Sequence, residues 1–377
     1  MSKVKKKRTV FIIVLLMLSC IVITSPLIGT VRAQGRICIR ADGTIDGTDK
    51  IQRNGNTYTL MDNIDDGIVV EKDDIVVDGA GYILNGKGWI SVGVSIDHSS
   101  NVTVRNLKVK VFINGISLGH GASNCIISGN TVTYCELNGI LLVHSNNNRI
   151  LGNTVTNNSK YGIRIMFPSS NNTLRGNSMY DNKYNLYVRG AVEGLGANFL
   201  VNDIDASTLV NRKPVYYWIH EQNRTVPTDA GYVALLNCTN ITVQNLNTSN
   251  NDQGIQLAST TNSTITQNTI NANERQGIAI YQSSNNIISD NYITNTGDGT
   301  IGDFSTSQDW EISFYQYPGI GIYGSSNNVI SGNYIAKNEI GILICDSFEN
   351  EIRGNMVTEN KAFGIRLTRH KRQHHLS

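Results

Sequence analysis

Short runs of Ile, Val and Leu alternate with Asn, Gly, Ser and Thr over most of the chain, and the three- and four-residue spacing of an amphipathic helix does not persist. One phrase recurs: Gly-Ile-x-Ile/Leu, a polar turn with Ser and Asn, x-Ile-x-Gly-Asn, then a β-branched pair. Its leading Gly stands at Gly93, Gly115, Gly139, Gly162, Gly231, Gly254, Gly277, Gly319, Gly341 and Gly364, with Asn185 in that place once. The steps are 22 to 24 residues, apart from one of 46 and one of 42. Each unit reads as three strands, such as 139–143, 149–152 and 154–156, none long enough for a hairpin pair. A lone unit cannot bury its Ile face, whereas stacking pairs each strand in parallel with its equivalents above and below. The expected fold is all-β, a right-handed single-stranded parallel β-helix of about eleven coils of 22–24 residues, each rising ~4.8 Å. The recurrent Asn of the SGN, LGN and RGN bends is expected to take the left-handed backbone conformation.

The organisation follows from where the phrase fails. Residues 1–33 place a basic cap, Met1 to Arg8, before the uncharged run Thr9 to Val31, the pattern of an export signal or signal anchor. Residues 34–92 form an N-terminal cap and first coils, 93–367 the repeats with insertions at about 206–229 and 296–314, and 368–377 a basic tail. The tail lacks the Asn-rich turn and the last two strands of a coil, so the helix is expected to end uncapped. The body then lies outside the cytoplasm, periplasmic, secreted or on the cell surface, touching membrane only through its N-terminal segment. Between Gln34 and Arg366 stand 30 acidic against 23 basic residues, which argues against nucleic acid as a partner. Cys38, Cys125, Cys135, Cys238 and Cys345 show no zinc-site spacing, and read as small buried residues or one local bridge such as Cys125 with Cys135.

The segment Ile75-Val76-Val77-Asp78-Gly79-Ala80-Gly81-Tyr82 and the repeats after it resemble those of the NosD-like periplasmic copper-binding family. They are also similar to the wider set of carbohydrate-binding and sugar-hydrolase β-helices. The resemblance runs from Ile37 to about Leu367 and implies the right-handed β-helix and, through the family, copper delivery to a reductase. The same fold carries unrelated chemistries, so function has to be read from sites.

The two long steps supply one candidate site. The first insertion holds Tyr216, Tyr217, Trp218, His220, Glu221 and Asp229, and the second holds Asp298, Asp303, Asp309, Trp310, Glu311, Tyr315 and Tyr317. Both are expected to leave the same corner of the coil, ~14 Å apart along the axis. Between them that corner offers Asp252 and Glu274, and the neighbouring strand face Gln256 and Tyr281. Aromatic rings beside carboxylates suit a saccharide, whose C–H faces stack while its hydroxyls bond. The same aromatics also fit hydrophobic plugs against the helix flank. Outward positions on the central first strands read as Val233, Leu235, Gln256, Ala258, Ala279 and Tyr281, with no carboxylate among them. That weighs against a hydrolase or lyase, which needs opposed carboxylates or a base beside a neutralising cation.

A second candidate comes from His98, His120 and His144, each five residues after a leading Gly. Equal coil position means stacking, so the rings are expected one above another, with Phe167 next and Met166 beside it. They read either as a plain stacked ladder or as a site for copper or zinc, with Asp97 or Met166 completing the shell. The leading functional expectation is an exported binding protein for a polysaccharide or glycan in a groove between the insertions. The alternatives are metal handling through the histidine column, a structural surface rod, and a polysaccharide lyase or glycoside hydrolase.

Overall fold

The computed structural model describes residues 37–87, 92–166, 168–188, 201–297 and 317–368. The export segment, Phe167, the trio Asp309, Trp310 and Glu311, and the tail beyond Thr368 lie outside them. Among the described residues every regular element is a strand, and no helix is long and apolar enough to cross a membrane.

Strands stack at equal coil positions, as the repeat requires. Ile116 pairs in parallel with Ile140 and Ile140 with Ile163, Ile127 with Ile150, and Val132 with Val155. All are fully buried, each contributing roughly 1.5–3 kcal/mol relative to exposure. The winding makes about 12 turns, close to the eleven expected. The leading glycines have a packing reason. A Cβ on Gly277 would lie 2.4 Å from Ile293 Cγ2 and 2.7 Å from the Gly319 carbonyl oxygen. Gly277→Ala is therefore expected to destabilise by about 1–3 kcal/mol, seen as a lower urea midpoint; an unshifted midpoint would contradict this close approach.

The bends differ from expectation in which residue does what. Gly129, Gly152 and Gly176 take the left-handed conformation, at φ of 62°, 61° and 63°, while the Asn that follows each does not. Gly adopts that conformation without steric cost, which frees the Asn side chain for the interior. Asn130 Nδ2 donates to Asn153 Oδ1 and Asn153 Nδ2 to Asn177 Oδ1, both at 3.0 Å. Each accepting Oδ1 also takes a backbone N–H of the preceding rung. Buried corners leave backbone groups beyond reach of the strand ladders, and the stacked amides satisfy them.

Two stacked blocks make up the solenoid, and the step of 46 residues hides their junction. In the first block the first sheet runs from Ile37–Ile39 to Tyr184–Val188 and the second ends at Asp203–Ile204. The third sheet continues: Leu209–Val210 turns antiparallel onto Lys213–Ile219, which pairs in parallel with Tyr232–Leu236, the next first strand of the second block. Gln222–Thr225 likewise pairs with Thr239–Gln244. Residues 206–229 are thus woven into the sheets rather than looping off a corner. Lys213–Ile219 is a plate between two cores. Val215 and Tyr217 join the first core, and Tyr216 and Trp218 pack on the second. A strand buried on one face and half-buried on the other is apolar at most positions, which accounts for its composition.

The plate also shifts register. Val233 pairs with Ile255 and Leu235 with Leu257, so Val233 and Leu235, expected to face outward, point into the second core. Two further antiparallel pairs, Ile37–Ile39 with Ile45–Asp46 and Ile51–Asn54 with Thr57–Leu60, depart from purely parallel stacking. Cys125 and Cys135 are buried thiols and form no bridge.

Candidate functional site

Register places Ser95, Ser117, Leu141, Arg164 and Tyr187 in one outward column of the first block's first sheet, and Asn114, Asn138, Tyr161 and Tyr184 in a second. The last two rungs thus replace small and polar residues with Tyr and Arg, and all three tyrosines are at most 3% exposed. The second block continues this sheet. Asn185 N donates to Asn250 O at 2.7 Å and Asp252 N to Leu186 O at 3.1 Å, so the turn 250–252 lies on the strand Tyr184–Val188. The equivalent turn one coil on brings Glu274 and Arg275 to the same place.

A charged, aromatic cluster results. Arg275 makes a two-pronged ion pair with the fully buried Asp252 and lies 4.8 Å over the Tyr187 ring. The Arg164 guanidinium lies 4.5 Å from the Tyr161 ring centroid and 4.7 Å from that of Tyr187. The Tyr161 hydroxyl donates to Glu274, whose carboxylate is 3.8 Å from Lys160 Nζ. Beside the charges, Gln253 donates to Gln276 at 3.2 Å, Gln276 to the Tyr323 hydroxyl at 3.3 Å, and Tyr323 stacks on Tyr281 at 4.9 Å. Tyr232 donates to Gln256 at 3.4 Å. Four buried polar atoms of these strands and turns, Arg164 Nε, Asn251 Oδ1, Gln253 Oε1 and Asn273 Nδ2, have no hydrogen-bond partner, where nearly all such atoms are satisfied.

Burial sets the protonation of this cluster. It pushes the Glu274 carboxyl up, with the negative charge of Asp252 adding to the effect. It also raises the Tyr161 phenol far above its ordinary value, reinforced by Glu274, so Tyr161 is a hydrogen-bond donor and not a base. Because folding raises the Glu274 pKa, its contribution to stability is present below about 4.5 and is lost as pH climbs through the folded value. Glu274→Gln should flatten the stability–pH profile across that window, followed by urea midpoints at successive pH values; an unaltered profile would contradict it.

Of the expected ligand residues, Asp252, Gln256, Glu274 and Tyr281 meet here, the first three buried rather than open on a corner. Asp252 is engaged by Arg275, and Gln256 by Tyr232. Tyr217 is core. Tyr216, Trp218, Glu221 and Asp229 form a separate patch on the end of the second core. There Tyr216 donates to Asp229 at 3.1 Å, and Arg224 lies 4.4 Å over Trp218 and pairs with Glu221 at 2.8 Å. Tyr216 and Trp218 pack on the second core as a plug would, and Asp309, Trp310 and Glu311, the other side of the expected groove, lie outside the described residues. Sequence reasoning missed Tyr161, Arg164, Tyr187, Gln253 and Arg275. The signal was there: Lys160-Tyr161 and Lys183-Tyr184 are 23 residues apart, as are Arg164 and Tyr187, at outward positions that carry smaller or uncharged residues in earlier coils.

The histidine column forms in part. His98 and His120 stack with centroids 5.5 Å apart and planes 27° from parallel, and His120 Nδ1 is 3.3 Å from Asp97 Oδ1. His98, His120 and His144 all have positive φ, a conformation that His tolerates better than most residues. Ser259, Gln282 and Asp346 take the same turn position in the second block. Met166 packs on Tyr161, Tyr184 and Tyr187 instead of joining the histidines. Among the described residues no three His, Cys, Asp or Glu are grouped to hold a metal. Near-parallel rings cannot aim in-plane lone pairs at one ion, so this set does not fit copper or zinc as arranged. The thiols are equally unsuited: burial pushes Cys135 up to about 12 and Cys38 up to about 11, where the metal-binding thiolate is scarce.

Comparison with known proteins gives the relatives of this arrangement. The family model described as periplasmic copper-binding protein (NosD) matches residues 32–220, half of the chain. The one described as right handed beta helix region matches residues 202–316 and 233–377. No curated protein matches the chain. Similar solved structures include a mutant of the periplasmic alginate epimerase AlgG, 13% identical over 85% of this chain and 83% of that one, with a TM-score of 0.35. The A-module of the Azotobacter vinelandii mannuronan C-5 epimerase AlgE4 is 12% identical over 88% of each chain, with a TM-score of 0.31. The Dettilon tailspike protein is 15% identical over 79% of this chain and 62% of that one, with a TM-score of 0.28.

Proposed function

Since the chain belongs to the periplasmic copper-binding protein (NosD) family, we propose that it works outside the cytoplasm as a binding protein, and that its junction holds a saccharide chain. The observation that carries this reading is the junction cluster itself: tyrosine rings, amides and carboxylates converge on one place, where Gln253 Oε1 is buried without a partner. The half-buried Tyr281 ring offers a face for the C–H groups of a sugar, and the Gln253 amide oxygen can accept from its hydroxyls. Affinity electrophoresis of the full chain against a glycan panel tests it. Retention should fall about tenfold in Gln253→Ala and persist in Trp218→Ala. The reverse pattern, or retention on no glycan, would overturn the reading.

Binding rather than turnover fits the same groups. Tyr161 holds its proton, Asp252 is neutralised by Arg275, and Glu274 is bonded to Tyr161, so among the described residues of the cluster no free base faces a cation. Incubation with polyuronates should produce neither unsaturated-uronate absorbance nor new reducing ends. Copper binding is supported by family membership, and its nearest donors are His98, His120 and Asp97. As those side chains do not fit an ion, titration with copper should reveal no site whose affinity drops tenfold in His120→Ala.

A further inference from the structure

The junction cluster is electrically unbalanced. Among the described residues its cations are Lys160, Arg164 and Arg275, and its carboxylates are Asp252 and Glu274. Asp252 pairs with Arg275, and Glu274 has Lys160 and the Tyr161 hydroxyl. Arg164 is left over. No carboxylate among the described residues pairs with it, its Nε is buried without a hydrogen bond, and its guanidinium lies on the faces of Tyr161 and Tyr187 with the Tyr187 hydroxyl as its one hydrogen-bond partner. Ring faces attract a guanidinium, but they accept none of its in-plane N–H donors. A buried charge without a counter-ion is costly, and a planar fork with open donors matches a carboxylate.

We propose that Arg164 receives the carboxylate of an acidic saccharide, so that the ligand of the junction is a hexuronate oligomer. This rests on the saccharide reading of the same site and narrows it to a class. The ligand carboxylate would complete the charge pairing of the cluster. Lys160 and Arg275, whose side chains are 19% and 12% exposed, mark where the cluster reaches solvent.

The test is calorimetric titration of the full chain with a panel of hexuronate oligomers and with the same oligomers after reduction of each carboxyl to a hydroxymethyl group. Wild type should bind at least one acidic oligomer about 10–100-fold more tightly than its reduced form, the range expected for a charge-assisted pair. Arg164→Gln should erase that preference while leaving affinity for the reduced oligomer unchanged, and Arg164→Lys should keep part of it. Urea midpoints for both variants establish that they are folded, and the wild-type preference is decisive if Arg164→Gln is not. Equal affinity for acidic and reduced oligomers would overturn the carboxylate assignment yet leave saccharide binding standing. Binding of neither series would remove both.

Discussion

Arg275→Met is expected to destabilise the protein by about 3–5 kcal/mol, the largest single effect in the junction, because it strands the carboxylate of Asp252 away from water. Asp252 is fully buried and both of its oxygens face the Arg275 guanidinium. Removing one partner of a buried pair costs far more than removing both, since the remaining charge has nothing to offset its desolvation. The double variant Arg275→Met with Asp252→Asn should therefore recover most of the loss, and urea midpoints of the three variants check it. Equal loss in the single and double variants would mean that Arg275 acts by packing on Tyr187 and not through charge.

Asn291→Leu comes next, at about 3–5 kcal/mol. The Asn291 side chain donates to Ile265 O and to Asn333 Oδ1, both at 2.9 Å, and accepts from Asn268 N at 3.1 Å and Asn268 Nδ2 at 2.9 Å. Leucine keeps much of the volume and none of the bonds, leaving several buried groups unsatisfied at about 1–3 kcal/mol each, reduced by local relaxation. A solenoid is stabilised by nearest-neighbour contacts, so the damage should be local. Faster amide exchange is expected on the rungs containing Asn268 and Asn333, with the first block unchanged; uniform acceleration over the whole chain would contradict that picture.

Much of the architecture is legible because a coil repeat converts sequence separation into vertical neighbours. Ile116, Ile140 and Ile163 are one column by spacing alone, and His98 over His120 follows from the same rule. The direction of Trp218 was not legible. Lys213–Ile219 is apolar at nearly every position, and a strand without alternation carries no mark of which face meets which core. Nor does the repeat encode that the third sheet of one block becomes the first sheet of the next, the change that places the turn 250–252 beside Tyr184–Val188. Asp252 and Glu274 stood out as acids on one corner. Arg275 stands one coil, 23 residues, above Asp252 and was within reach of the same spacing rule, whereas the meeting of Tyr161 with Glu274 is a contact between residues over a hundred positions apart, which periodicity cannot supply.

Hydrogen–deuterium exchange of the full chain, with and without a hexuronate oligomer, tests the central claim that ligand is held where the two blocks meet. Slowed exchange confined to the strands Tyr161–Met166 and Tyr184–Val188 and the turns at 250–253 and 273–276 is the predicted result. Protection around His98 and His120 instead, or on the Trp218 patch, would contradict it.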